Sequence, residues 1–104
     1  MKNITCTELK ARQEAGESIH LLDVREPAET AEFNIGGTPF PLGKIQSMQT
    51  EDIENLKNEE VICYCRSGNR SQMAAMVLEQ LGFCNVKNLT GGMLAWKEKF
   101  GSEK

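Results

Sequence analysis

Alternation is the feature that most limits what this chain can fold into: short aliphatic runs suited to buried strands recur along the 104 residues, and each gives way to a stretch with helical spacing. Residues 19–24 (IHLLDV) and 61–64 (VICY) have the branched-aliphatic character of strands covered on both faces. Residues 86–89 (VKNL) make another run, and residues 38–42, hemmed in by turn-forming glycines and prolines, leave room for a short one. Strands joined by helices in this order need crossover connections. The expected class is therefore α/β, an open parallel sheet with helices on both faces. Ligands of such sheets gather at the carboxyl ends of the strands, where Asp23, Arg25 and Cys65 fall.

The helical stretches carry their own punctuation. Thr5 and Glu8 have capping-box spacing, and the polar stretch they open runs to Gly16. Pro27 suits the first turn of a helix that follows Arg25-Glu26. Across residues 44–58 the positions of Ile45, Met48, Ile53 and Leu56 predict one or two short helices, with a restart at Thr50 or Glu51. Met73, Met76, Val77 and Leu81 mark a helix face that ends at Gly82, and Gly91-Gly92 turn the chain into a last helix presenting Met93, Leu94, Trp96 and Phe100. Met73, Met76, Trp96 and Phe100 are accordingly expected in the core. No repeat or linker interrupts this order, so residues 1–104 read as one domain.

Composition narrows the function. With 39% hydrophobic and 26% charged residues a packed core is expected, and a formal charge of -3 without a Lys/Arg block argues against binding nucleic acid or an anionic membrane. Residues 1–12 (MKNITCTELKAR) lack the apolar run of a signal peptide and no later stretch reaches the length of a membrane span, which makes the cytoplasm the expected compartment. Free thiols are expected at Cys6, Cys63, Cys65 and Cys84; Cys63 and Cys65 lie two apart on one strand face and cannot bridge without distorting it. His20 is the sole histidine and no paired C-x-x-C exists, so no metal site is expected.

The chemistry concentrates in Cys65-Arg66-Ser67-Gly68-Asn69-Arg70-Ser71, placed between a strand and a helix. Backbone N–H groups of such a loop can turn inward, and the helix N-terminus adds positive potential, so the loop can cradle an anion. A cysteine sulfur at its centre is stabilised as thiolate, with Arg66 and Arg70 adding to the effect. Gly68 supplies a residue free to adopt positive φ in a tight cradle.

This CRSGNRS loop, the DVRE of residues 23–26 and the LTGGMLAW of residues 89–96 resemble, in order and spacing, the rhodanese family. The resemblance implies a five-stranded rhodanese-like sheet and a thiosulfate sulfurtransferase. Cys65 would be the nucleophile that carries a sulfane sulfur as a persulfide and passes it to a thiophilic acceptor, cyanide or a thiol. It implies that the backbone from Arg66 through Ser67, Gly68 and Asn69 to Arg70 holds the outer sulfur, that Arg66 meets an anionic donor, and that Arg70 binds substrate or ties the loop to an acidic partner. Displacement at sulfur needs little proton transfer, so no catalytic histidine and no cofactor are implied, and His20 reads as structural. Where the family often has a histidine-containing stretch, residues 33–42 here read FNIGGTPFPL, and no family role is carried onto them.

Other readings stand beside these. Cys65 could be a small buried hydrophobe at a strand end, and Cys63, Cys6 and Cys84 are most simply packing or incidental. Asp23 and Arg25 are either a structural ion pair or supports for the active loop. The chain could also be a persulfide carrier between proteins, a non-catalytic binding module, or a cysteine-dependent phosphatase or arsenate reductase. The phosphatase loop it resembles has five residues between Cys and Arg; here four separate Cys65 from Arg70, a tighter ring that suits one sulfur atom better than a tetrahedral oxyanion.

Overall fold

The computed structural model describes residues 2–101; Met1 and residues 102–104, which the one-domain reading includes, lie outside the described residues. The elements run β1 (Lys2–Ile4), α1 (Cys6–Glu14), β2 (His20–Asp23), α2 (Pro27–Glu32), β3 (Thr38–Pro39), α3 (Leu42–Gln46), a 3-10 helix (Glu51–Leu56), β4 (Glu60–Tyr64), α4 (Asn69–Gln80), β5 (Asn85–Leu89) and α5 (Gly92–Phe100). The sheet has five strands in the order β1-β5-β4-β2-β3, every neighbouring pair parallel. β4 is its central strand, so the loop after Tyr64 opens at the middle of the carboxyl edge.

Alternate side chains of the sheet feed two cores. Leu22, Val24, Val61, Cys63 and Val86 pack against Ile45, Ile53, Ala74, Ala75 and Leu78, while Leu21, Ile62, Tyr64 and Leu89 pack against Leu9, Met93 and Trp96. The period-two split of β4 is clean: Val61 and Cys63 go to one core, Ile62 and Tyr64 to the other. Burial on both faces is what a parallel sheet demands.

Local signals settle most ends. Thr5 Oγ1 accepts from the Glu8 N–H at 3.1 Å and Glu8 Oε1 accepts from the Thr5 N–H at 3.0 Å, closing the expected capping box of α1. Pro27 opens α2, and Thr50 precedes the 3-10 helix as the expected restart. β1, which the sequence did not announce, is a three-residue edge strand paired to β5 and too short to show a period.

The short strand expected within residues 38–42 is β3, which takes only Thr38–Pro39, and Leu42 already begins α3. One expectation fails on packing grounds. Met73 and Met76 are 48% and 51% exposed instead of buried, because α4 turns Ser71, Ala74, Ala75 and Leu78 inward. Small side chains at that helical spacing let α4 lie close on the sheet and leave the longer methionines outside. Leu94 is likewise half exposed, whereas Trp96 is buried and meets Phe100 edge-on at 4.9 Å.

Candidate active site

The loop that leaves β4 folds around the sulfur of its own first residue. Gly68 N–H points at Cys65 Sγ across 3.1 Å, Ser71 N–H across 3.3 Å and Ser71 Oγ across 3.4 Å. The ring closes because Gly68 sits at φ +100°, where a side chain would be strained, and because Asn69 then begins α4 with its first N–H groups turned toward the sulfur. Cys65 is 1% exposed. Burial works against its thiolate, yet the Ser71 hydroxyl, the Ser71 and Gly68 N–H groups and that of Ser67 together outweigh it and hold the thiol below its ordinary range. Cys63 has no such donors: burial, with the nearby charge of Cys65 adding to it, pushes its thiol up to about 12.

The outward-facing carbonyls of the loop are secured from the opposite side of the sheet. Met93 N–H donates to Cys65 O and Leu94 N–H to Arg66 O, each at 2.9 Å, so the start of α5 takes up carbonyls that would otherwise turn into the ring. Gly92 allows this approach; a Cβ there would collide with the carbonyls of both Cys65 and Arg66. The Gly91-Gly92 pair therefore brings α5 against the active loop.

The two loop arginines part company. Arg70 makes a bidentate ion pair with Glu29 of α2 at 2.8 and 2.9 Å, which holds the Glu29 carboxyl down at about 2. The contact ties the loop to α2. Arg66 is exposed and lines a groove of about 370 Å³ with Arg25, Glu29, Glu32, Phe33, Met93, Leu94 and Lys97. Ser67 and Asn69 are exposed at the rim.

Asp23 and Arg25 form a buried pair below this groove. Arg25 donates from Nε and Nη2 to the Asp23 carboxylate at 2.9 and 2.7 Å, Thr30 Oγ1 donates to the same carboxylate at 2.8 Å, and Arg25 Nη2 also reaches Phe33 O at 2.6 Å. The C-terminal half of α2 is thereby fixed to the end of β2 through Thr30 and Phe33, one turn from where Glu29 meets Arg70. The unusual residues 33–42 pack here too: Gly37 N–H donates to Tyr64 Oη at 3.2 Å, and a Cβ on Gly37 would run into the Tyr64 ring.

Sequence reasoning passed over three residues of this arrangement. Ser71 stood in the quoted motif without a role, Glu29 was foreseen only as an unspecified acidic partner, and Asn88 of β5, which accepts from Ser71 Oγ, was missed. The run of residues 86–89 (VKNL) gave little signal for Asn88, since Lys87 beside it is polar too. Among the described residues no histidine, cysteine, aspartate and glutamate cluster could hold a metal ion, and no helix is long and apolar enough to cross a membrane.

A central strand that delivers a cysteine into a ring of inward N–H donors defines a class of α/β domain built for thiolate chemistry on small anionic groups. Within that class the chain belongs to the rhodanese family, whose rhodanese-like domain model matches residues 5–99. The Bacillus subtilis protein provisionally named sulfurtransferase YtwF is 39% identical, covering 93% of this chain and 91% of its own length. YrkF of the same organism, provisionally named a sulfur carrier protein, is 36% identical over 92% of this chain and 51% of its own length, so this chain spans about half of it. Among solved structures, a rhodanese-like domain protein from Staphylococcus aureus has a TM-score of 0.80 at 33% identity and covers 92% of this chain and 91% of its own. These relationships support sulfur transfer of the rhodanese type.

Proposed function

We propose that Cys65 takes a sulfane sulfur from an anionic donor such as thiosulfate, keeps it as a persulfide, and yields it to cyanide or a thiol. The observation that carries this reading is the placement of Cys65 Sγ within 3.1 to 3.4 Å of donors from Gly68 and Ser71, with its thiol held below the ordinary range. The thiolate attacks the outer sulfur of thiosulfate, a sulfur–sulfur bond forms to Cys65, and the sulfur–sulfur bond of the donor breaks with its electron pair leaving on sulfite. An acceptor then attacks the outer persulfide sulfur and Cys65 thiolate departs. No step calls for a general base or a cofactor.

In this reading the amides from Arg66 to Arg70 hold the outer sulfur, and Arg66, whose charge has no carboxylate partner among the described residues, meets the incoming anion. Arg70 secures the loop through Glu29, and Asp23 and Arg25 support it by anchoring α2. Residues 1–104 act as one domain in the cytoplasm. A second reading draws on YrkF: the same persulfide can be loaded and unloaded by other proteins, with thiosulfate a surrogate donor.

Mass spectrometry of the protein before and after thiosulfate tests the proposal. A gain of one sulfur mass on Cys65 is expected, discharged by cyanide or dithiothreitol and absent in Cys65→Ser. No gain with any sulfane donor, or robust Cys65-dependent turnover of an aryl phosphate, would overturn it.

A further inference from the structure

Ser71 Oγ lies between two acceptors but owns one proton. It faces Cys65 Sγ at 3.4 Å on one side and the side-chain amide of Asn88 on the other, where it is placed to donate to Oδ1. Ser71 is fully buried and Asn88 is 5% exposed, so water does not readily replace either partner. While the hydroxyl proton points at Asn88, the sulfur loses one of its donors. A hydrogen bond to a charged acceptor is the stronger one, so a thiolate at Cys65 draws the proton to itself and leaves the Oγ lone pairs toward Asn88. An asparagine can satisfy them: a half-turn of its amide exchanges Oδ1 for Nδ2 at almost no change in shape.

We propose that Asn88 is a positioning residue that acts on Cys65 through Ser71. Nδ2–H donates to Ser71 Oγ when Cys65 is a thiolate, and Oδ1 accepts from it when the sulfur is a neutral thiol. The hydroxyl is thus held on the line between β5 and the sulfur in both states. Between the two states the S–H bond of Cys65 breaks, its electron pair staying on sulfur and its proton leaving to solvent; every other change is in hydrogen bonds. Asn88 is suited to this by position, since it pairs in register with Cys63 on the neighbouring β4 and so shares the sheet face of Cys65, two residues further on.

The other titratable groups around Cys65 act on it through space and not through its hydroxyl donor. From β4 comes the buried Cys63, and from α4 Arg70, whose charge is engaged by Glu29 of α2. On the α5 side Met93 and Leu94 engage the loop through their N–H groups, and Lys97 joins Arg25, Glu32 and Arg66 in the groove beside the loop. Asn88 is the neutral group in contact with a donor of the sulfur, and its substitution changes that donor without touching the arginines.

The inference rests on Cys65 as the reacting sulfur, but its test needs no sulfur transfer. The rate of Cys65 alkylation by iodoacetamide, mapped by mass spectrometry in the full chain, is followed against pH to locate the thiolate inflection. Asn88→Asp, which can only accept, is expected to hold the Ser71 proton and move the inflection up by about one pH unit. Asn88→Ala is expected to move it up by less, with far-UV circular dichroism confirming the fold, and decides the matter should the aspartate variant not fold. In a Ser71→Ala background the Asn88→Asp shift is expected to shrink to under about a third of its size, because its route to the sulfur is gone. Inflections of the Asn88 variants that coincide with that of the parent would overturn the proposal. So would an Asn88→Asp shift of undiminished size without the Ser71 hydroxyl, which is the mark of bare charge. Absence of a persulfide with every donor, by contrast, would sink the sulfur-transfer reading and leave these inflections as informative as before.

Discussion

Arg66 and Arg70 show how little residue type decides and how much the partner does. Arg70 is half-buried and held by two hydrogen bonds to Glu29, so its charge is spent on architecture. Arg66 is exposed, one residue from the sulfur, and opens onto the groove beside α2 and α5. Removing it should therefore alter encounter with an anion more than it alters the fold. Arg66→Ala is expected to raise KM for thiosulfate about tenfold, the worth of one modest charge-assisted contact, with a melting temperature within about 2 °C of the parent. Steady-state kinetics and a thermal melt check both halves; unchanged donor kinetics would remove Arg66 from the site. The sequence made Cys65 and its loop legible because cradle residues are contiguous. It did not show that Glu29 takes one of the two arginines, since that pairing spans 41 positions and depends on how α2 is anchored by Asp23 and Arg25.

At the scale of elements, the site is a junction of three helix ends with one strand end. The N-terminus of α4 faces the sulfur, the N-terminus of α5 holds the loop carbonyls, and α2 supplies Glu29. The strand runs, the capping box at Thr5 and the restart at Thr50 could be read because each rests on neighbours a few residues apart. β1 and the inward face of α4 could not. The first is too short to carry a pattern, and the second is built from Ser71, Ala74 and Ala75, whose small size matters only once the sheet lies against them. Gly92 belongs to the same tertiary level: its φ of +53° and its contact with the Cys65 and Arg66 carbonyls join α5 to the active loop. Gly92→Ala is expected to cost about 2 to 4 kcal/mol by combining left-handed strain with displacement of α5. Urea unfolding measures the loss, and persulfide formation under folded conditions should fall with it, because the loop carbonyls lose the Met93 and Leu94 donors.

Across the whole molecule, chemistry and stability occupy opposite edges of the sheet. Cys65 follows β4 at the carboxyl edge, while Glu60 begins it at the amino edge and gathers Arg12 of α1 and Lys87 of β5. Arg12 also reaches Glu17, so one carboxylate joins two strands and the first helix into a network that is one-fifth to one-quarter exposed at its centre. The Arg12 contact, reinforced by Lys87, outweighs burial and holds the Glu60 carboxyl down at about 2. An unfolded glutamate titrates near about 4.3, so the folded state binds the proton less readily and gains stability wherever the group is ionised. That gain is complete above the unfolded value and disappears as pH falls through the folded one. Glu60→Gln should thus lower stability by about 1 to 2 kcal/mol at pH 7, a figure set by the loss of charge-assisted hydrogen bonds at a partly solvated site. The difference from the parent should narrow steadily between about pH 4.5 and pH 2. Urea titrations at several pH values check the trend, and a constant gap would mean that Glu60 acts through shape instead of charge. Thiolate titration of Cys65 in the same variant should be unchanged, since the network acts on how β4 is held and not on the ring of donors at its far end.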